Sequence, residues 1–306
     1  MLPIMGKEML RFIVYSNIFI GLCALALTFE TFILLDIPVS NNWFLLLVFL
    51  CTVFIYTLHY YTKSKTTKTD SRLDWCRRNS NLFLIILLLS FLLSAGGVVY
   101  HYQAIFFNDG KFNYRNLAWF GIIPVIALAY SYPIIPWKSK SIRQVGWLKM
   151  ASLAFIWSFT TAILPVLMLD DPKNSTYPAS EIVPLFINRF FFIAALGFLF
   201  NINDYEEDRE DNIKTLAVVI GPSKSLYWGK WITTGINILA GLLLIYFFGL
   251  YQPAFFAAII LPPLLLFFSF HNYKFSNEEA SFVLRHDGLM IIKALLLIFA
   301  VAISSN

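Results

Sequence analysis

Ile182-Val-Pro-Leu-Phe-Ile-Asn-Arg-Phe-Phe-Phe-Ile-Ala-Ala-Leu-Gly-Phe-Leu-Phe200 runs without a break into Asn201-Ile-Asn-Asp-Tyr-Glu-Glu-Asp-Arg-Glu-Asp-Asn-Ile-Lys-Thr215. The first half has the length and composition of a membrane helix, which needs roughly 20 mostly apolar residues. The second half puts six carboxylates, Asp204, Glu206, Glu207, Asp208, Glu210 and Asp211, into eight residues of a chain with only 18 acidic ones. If the helix continues past Phe200, then Asn201, Asp204, Asp208 and Asp211 fall at i, i+3, i+7 and i+10 and share one face. A row of hard oxygen donors at the end of a membrane helix suits Mg²⁺, which takes one or two carboxylates plus substrate phosphates. Lys214 follows, available to offset phosphate charge. The other reading of the same residues is a solvated acidic loop, the ordinary fate of a charge run.

The rest of the chain is of the same kind. Of 306 residues 58% are apolar and 13% charged, against about 25% charged in soluble domains. That excludes disorder, collagen, coiled coils and disulfide-stapled secreted domains, and identifies an integral membrane protein. Nine apolar segments are expected as spans: 12–35, 43–61, 82–100, 117–135, 148–169, 182–200, 227–248, 255–270 and 289–304. The sixth is interrupted by Asn188 and Arg189, and the last two are short. The first also reads as a signal peptide, with Lys7 and Arg11 before an apolar stretch ending Ala24-Leu25-Ala26. Its apolar run continues to Leu35, too long for a signal, and it is expected to remain as a span. Cys23 and Cys51 lie in apolar runs and Cys76 in a basic loop, with no C-x-x-C or Cys/His cluster to hold zinc or iron–sulfur.

Lys and Arg set the orientation. With the N-terminus in the cytoplasm, the cytoplasmic loops hold Lys63, Lys65, Lys68, Arg72, Arg77 and Arg78, then Lys138, Lys140, Arg143 and Lys149. They continue with Arg209, Lys214, Lys224, Lys230, Lys274 and Arg285, while the opposite side holds Lys111, Arg115 and Lys173. This asymmetry is the positive-inside rule, and it explains the net charge of +5 without a nucleic-acid partner. It leaves the acidic stretch cytoplasmic and the C-terminus on the opposite side. Arg189, Lys293 and Glu30 fall at membrane depth, where ionisable groups face the bundle interior or, like a long arginine, snorkel to the interface. One membrane-embedded helical domain is expected to fill residues 1–306.

Around Thr215-Leu216 the sequence resembles the UbiA superfamily of intramembrane prenyltransferases, whose second aspartate-rich motif reads approximately D-x-x-D-x-x-x-D-x-x-x-G-x-x-T-L. This chain has Asn201, Asp204, Asp208 and Asn212 at the three aspartates and the glycine. Val218-Val219-Ile220-Gly221 resembles the continuation. Tyr130-Ser-Tyr-Pro133 followed by Lys138 is similar to the family's Tyr-x-x-Pro element with a nearby cation. Tyrosine and lysine at that place also fit the membrane-interface belt and the positive-inside rule. The family's first motif, N-x-x-x-D-x-x-x-D, belongs at the end of the second span, where this chain reads Tyr56-Thr-Leu-His-Tyr-Tyr-Thr-Lys63 without an aspartate. Asp70 and Asp74 keep the D-x-x-x-D spacing later in the basic loop, where they also fit surface pairing with Arg72 and Arg77. His59 stands at the expected place, a better hydrogen-bond donor to phosphate than a ligand to Mg²⁺.

The resemblance implies an all-α, polytopic bundle of nine transmembrane helices. It also implies Mg²⁺-dependent transfer of a polyprenyl group from prenyl diphosphate to an aromatic or other lipophilic acceptor in the bilayer, with quinone biosynthesis as one setting. Asp204 and Asp208, with Asn201, would hold Mg²⁺. Lys214 and Lys138 would add fixed positive charge, and Asp211, Tyr130 and His59 would contact substrate. The degenerate first motif fits a second reading, a non-catalytic UbiA-like protein that binds an isoprenoid or a partner. A small-solute transporter, the third class, is expected to show inverted repeats and Gly/Pro-broken helices at midplane, which the sequence lacks.

Overall fold

The computed structural model describes residues 4–38, 42–66, 71–108, 111–132, 141–169, 177–275 and 278–304. The chain begins with α1 (Ile4–Tyr15) and α2 (Ile18–Leu34), then α3 (Asn42–Thr66), α4 (Ser71–Arg78), α5 (Ser80–Tyr100) and α6 (Tyr102–Phe106). A two-residue ladder pairs Phe107–Asn108 with Lys111–Phe112 ahead of α7 (Tyr114–Ser131). Next come α8 (Gly146–Ser158), a π-helical turn over Phe159–Ile163 and α9 (Leu164–Leu169), which together make one span. The remainder is α10 (Ala179–Asn203), α11 (Tyr205–Glu210), α12 (Leu216–Ile220), α13 (Pro222–Phe248), α14 (Pro253–His271) and α15 (Glu279–Ser304).

Among the described residues seven helices are long and apolar enough to cross a membrane, and an eighth span results if α1 and α2 count as one. The expected segment 117–135 is the shorter helix α7. Segment 12–35 is not one straight helix, because the chain bends by 61° between α1 and α2. At that break Asn17 adopts a left-handed conformation, φ 65°. Asn17 is fully buried, donates to Thr57 Oγ1 at 3.2 Å and accepts from Arg72 at 2.7 Å. The last span starts ten residues earlier than expected, at Glu279 rather than 289. His286, Asp287 and Lys293 interrupt the apolar run but point into the bundle, where hydropathy cannot recognise them as helical interior.

Packing runs α2–α3–α7–α8–α10–α13–α14–α15 and back to α2, closing a ring, with α5 laid outside against α3. The outward face is apolar: Leu88, Leu92, Leu239 and Tyr246 are all more than half exposed. The connections that the charge pattern assigns to one side meet at one end of this ring. There Lys63 at the end of α3 pairs with Glu207 of α11, and Arg72 of α4 pairs with Glu279 at the start of α15.

Inside the ring, three charges from three helices meet. Glu30 of α2 lies between Lys293 of α15 and Arg189 of α10, 3.4 Å from the latter. Arg189 is fully buried and does not snorkel. Its Nη1 donates to Leu27 O and Thr161 Oγ1, both at 2.8 Å. The π turn frees the Thr161 carbonyl to accept from Thr31 at 2.7 Å. Breaking a buried pair from one side leaves a charge with no counter-ion, at a cost of about 3–5 kcal/mol. Glu30→Gln therefore lowers the unfolding temperature in detergent sharply. Glu8→Gln, which breaks an exposed pair with Arg11 worth less than about 1 kcal/mol, leaves it nearly unchanged.

Candidate functional site

The end of the ring where the loops meet encloses a cavity of about 440 Å³. Its walls come from α3 (Tyr56, His59, Tyr60, Lys63), α7 (Tyr130), α8 (Lys149, Met150), α10 (Leu196, Asn201) and α15 (Glu279, Asp287), with Asp204 and Glu207 at the rim. An apolar cavity of about 130 Å³ adjoins it between α3, α7 and α8, sharing Ile55, Tyr56, Ala127, Ile156 and Trp157. At the junction Trp157 Nε1 donates to the Tyr56 hydroxyl at 3.1 Å.

The centre of the polar end is an ion cluster. Lys149 Nζ donates to Asp204 Oδ2 at 3.1 Å and to both carboxylate oxygens of Asp208, at 2.8 and 2.9 Å. Asp208 is 1% exposed. Burial pushes its carboxyl above the usual range, although the Lys149 ammonium pulls the other way. Around this pair, Arg143 reaches His59 Nε2 at 3.2 Å and Glu207 at 3.9 Å, and Lys63 binds the same Glu207 at 2.9 Å. Burial alone would raise Glu207, but Lys63, Arg143 and Lys149 together hold it below its ordinary value. Arg72 stacks over Tyr60, 3.5 Å from the ring centroid, and donates to Glu279 at 2.9 Å.

The turn that presents the carboxylates follows from local sequence. α10 ends at Asn203, Asp204 forms the corner, and α11 carries Glu207 and Asp208. α11 then closes in a Schellman motif: Ile213 N–H donates to Asp208 O at 2.8 Å and Asn212 N–H to Arg209 O at 3.2 Å. Asn212 sits at φ 55°, a left-handed conformation that glycine or asparagine adopts most readily. This is the position that the UbiA motif gives to glycine.

The expected residues divide into three groups. Asn201, Asp204, His59 and Tyr130 line the cavity, and Asp208 stands behind Lys149. Asp211 and Lys214 do not: α11 ends at Glu210, and Asp211, the third acid of the row, is its exposed C-cap. Both residues are exposed outside the cavity, and the expected positive charge comes from Lys149 and Arg143 instead. Lys138 and Asp70 lie outside the described residues. Asp74 pairs with Arg77 at 2.7 Å, away from the cavity, whereas Arg72 turns inward. Lys149, Arg143, Lys63 and Arg72 read in sequence only as positive-inside charges. Lys149 carried one further signal, an ammonium already inside the apolar run of its span.

Among the described residues no three His, Cys, Asp or Glu side chains group as metal ligands. What the donors do offer is one cation position, now filled by the Lys149 ammonium, on which the carboxylates of Asp204 and Asp208 converge with the Asn201 amide at the wall. That set fits one Mg²⁺ completing its shell from phosphate and water. The α3 wall has no carboxylate for a second ion.

Residues 77–290 match the sequence model of the UbiA prenyltransferase family. The structure of a UbiA homologue from Archaeoglobus fulgidus bound to GPP and Mg²⁺ is similar with a TM-score of 0.62 at 15% identity, covering 97% of this chain and 100% of that one. The apo structure of a UbiA homologue from Aeropyrum pernix K1 is similar with a TM-score of 0.60 at 14% identity, covering 94% and 98%. At those identities the likeness is one of fold. A stretch of 122 residues is 31% identical to ABC transporter A family member 8 of Dictyostelium discoideum, and it spans 39% of this chain and 14% of that protein.

The loop after α11 is seated on α8 through Gly146. A Cβ placed there would stand 2.0 Å from the backbone oxygen of Lys214, which no side-chain adjustment relieves. Gly146→Ala therefore displaces the loop behind Asp208 and costs about 1–3 kcal/mol as overpacking. Gly235→Ala, inside α13 with nothing within 4 Å, costs nothing and gains up to about 1 kcal/mol of helix propensity. Thermal unfolding of the two variants checks this.

Proposed function

This chain belongs to the UbiA prenyltransferase family, and on that premise we propose that its cavity binds a prenyl diphosphate with Mg²⁺ and transfers the prenyl group to a lipophilic acceptor within the bilayer. The observation that carries this reading is the convergence of Asp204 and Asp208 on a single cation position at the polar end of a long cavity whose other end is apolar. Asp204, Asp208 and Asn201 would hold Mg²⁺, which when bound offsets the negative charge of the diphosphate and of the leaving group.

The chain's own residues do the rest. Lys149, exchanged off the two carboxylates, and Arg143 supply fixed positive charge to the diphosphate, and Lys63 and His59 border the same space. The prenyl tail runs past Tyr56 and Trp157 into the adjoining apolar cavity, whose lining excludes water. Positive charge developing on the allylic carbon is met by the π-faces of those two rings. The excess of Lys and Arg on the loops around the open end of the cavity supports a cytoplasmic opening.

One observation favours a second reading: α3 lines the site with Tyr56, His59, Tyr60 and Lys63 and offers no carboxylate, so the chain would hold an isoprenoid without turning it over. Binding and turnover separate the two. Purified protein binds geranyl thiodiphosphate, an unreactive analogue, in Mg²⁺ and loses at least tenfold affinity in chelator and in Asp204→Asn. Binding that ignores both chelator and variant contradicts the site. Wild type that binds the analogue but never releases diphosphate from the reactive ester, across a screen of acceptors, supports the second reading.

A further inference from the structure

Asp287 of α15 lines the same cavity, yet it is neither in the ion cluster nor in any expected motif. It is 7% exposed, and its backbone carbonyl accepts from the Cys23 thiol at 3.4 Å. Its carboxylate makes no hydrogen bond or ion pair among the described residues. The other carboxylates are all committed: Asp204 and Asp208 to Lys149, Glu207 to Lys63, Glu279 to Arg72. Those same cations are thereby occupied. Asp287 lies eight residues along α15 from Glu279, about 12 Å further into the bundle at 1.5 Å per residue. Its neighbours in the lining include Val283 and Met290 of α15 with Leu196 and Ile193 of α10, all apolar, and its polar neighbours there are Arg72 and Tyr56.

An unpaired carboxylate in an apolar wall costs free energy unless something entering the cavity donates to it. We infer that Asp287 anchors the acceptor, and that the acceptor is a neutral lipophile presenting a hydroxyl or N–H donor rather than a carboxylate. This rests on the reading of the cavity as a prenyl-transfer site. A hydroxyl donated to Asp287 makes a charge-assisted hydrogen bond, the stronger kind. A carboxylate in the same place meets the ionised Asp287 as a like charge at low dielectric, and the wall cation that acts on this position, Arg72, is already held by Glu279.

Two probes with one ring system test this: 1-naphthol and 1-naphthoate, titrated into purified protein with and without geranyl thiodiphosphate. Wild type binds 1-naphthol at least tenfold tighter than 1-naphthoate. Asp287→Leu, which keeps the branching at Cγ but removes both acceptor oxygens, loses at least tenfold in 1-naphthol affinity, and Asp287→Asn gains affinity for 1-naphthoate. Unchanged melting temperature and retained thiodiphosphate binding show that the variants are folded. 1-Naphthoate bound as tightly as 1-naphthol by wild type, or Asp287→Leu binding 1-naphthol like wild type, overturns the inference. Failure of thiodiphosphate to bind counts against the prenyl-transfer reading, while the naphthol comparison still decides the role of Asp287.

Discussion

Lys149 brings a full positive charge into the wall of a membrane bundle, and two carboxylates from the turn after α10 close on it. In a low-dielectric interior neither partner is tolerable alone, since the cost of leaving one buried charge unpaired is several kcal/mol. The pair therefore fixes where α8 and α11 stand relative to each other. Gly146 lets the following loop come down onto α8, and the Schellman turn at Asn212 aims Asp208 inward. The same rule operates deeper in the ring, where Glu30, Lys293 and Arg189 tie α2, α15 and α10 together. Among the described residues these buried charges come as closed sets, with Asp287 as the carboxylate that stays outside them.

That arrangement makes the cavity chemically asymmetric. Its polar end is lined by cations already neutralised by acids, so an incoming diphosphate has to bring positive charge with it or exchange partners. On the proposed function, Asp204 and Asp208 would provide the place for that exchange. The apolar end, beyond the Tyr56–Trp157 contact, offers no hydrogen-bond partner to water and suits a hydrocarbon tail. A polar anchor with an apolar cavity next to it suits an amphiphilic diphosphate.

The spans were legible because about 20 apolar residues are a physical requirement for crossing hydrocarbon. The deviations come from polar groups that face inward: His286 and Asp287 shorten the apparent last span, and the buried Asn17 hides the break in the first. The carboxylate row was legible from helical spacing as far as Asp208. It failed at Asp211 because α11 stops at Glu210 and leaves that acid at the exposed C-cap, an end that the i, i+3, i+7 count does not contain. The cations were not legible as site residues. The positive-inside rule accounts for every lysine and arginine in a loop, so it could not mark out those that turn back into the bundle. Arg72, stacked on Tyr60, and Arg143, bonded to His59, reach the cavity through contacts between segments far apart in sequence.

The central claim is that the point between Asp204 and Asp208 is a cation site that exchanges an ammonium for a metal when diphosphate arrives. A structure of the protein with geranyl thiodiphosphate and Mn²⁺, read by the anomalous signal of manganese, tests it most directly. The account predicts one manganese peak at that point, the diphosphate against it, and the Lys149 ammonium moved onto a phosphate oxygen. Lys149 still bridging the two carboxylates, with the analogue bound elsewhere and no manganese between them, would contradict it.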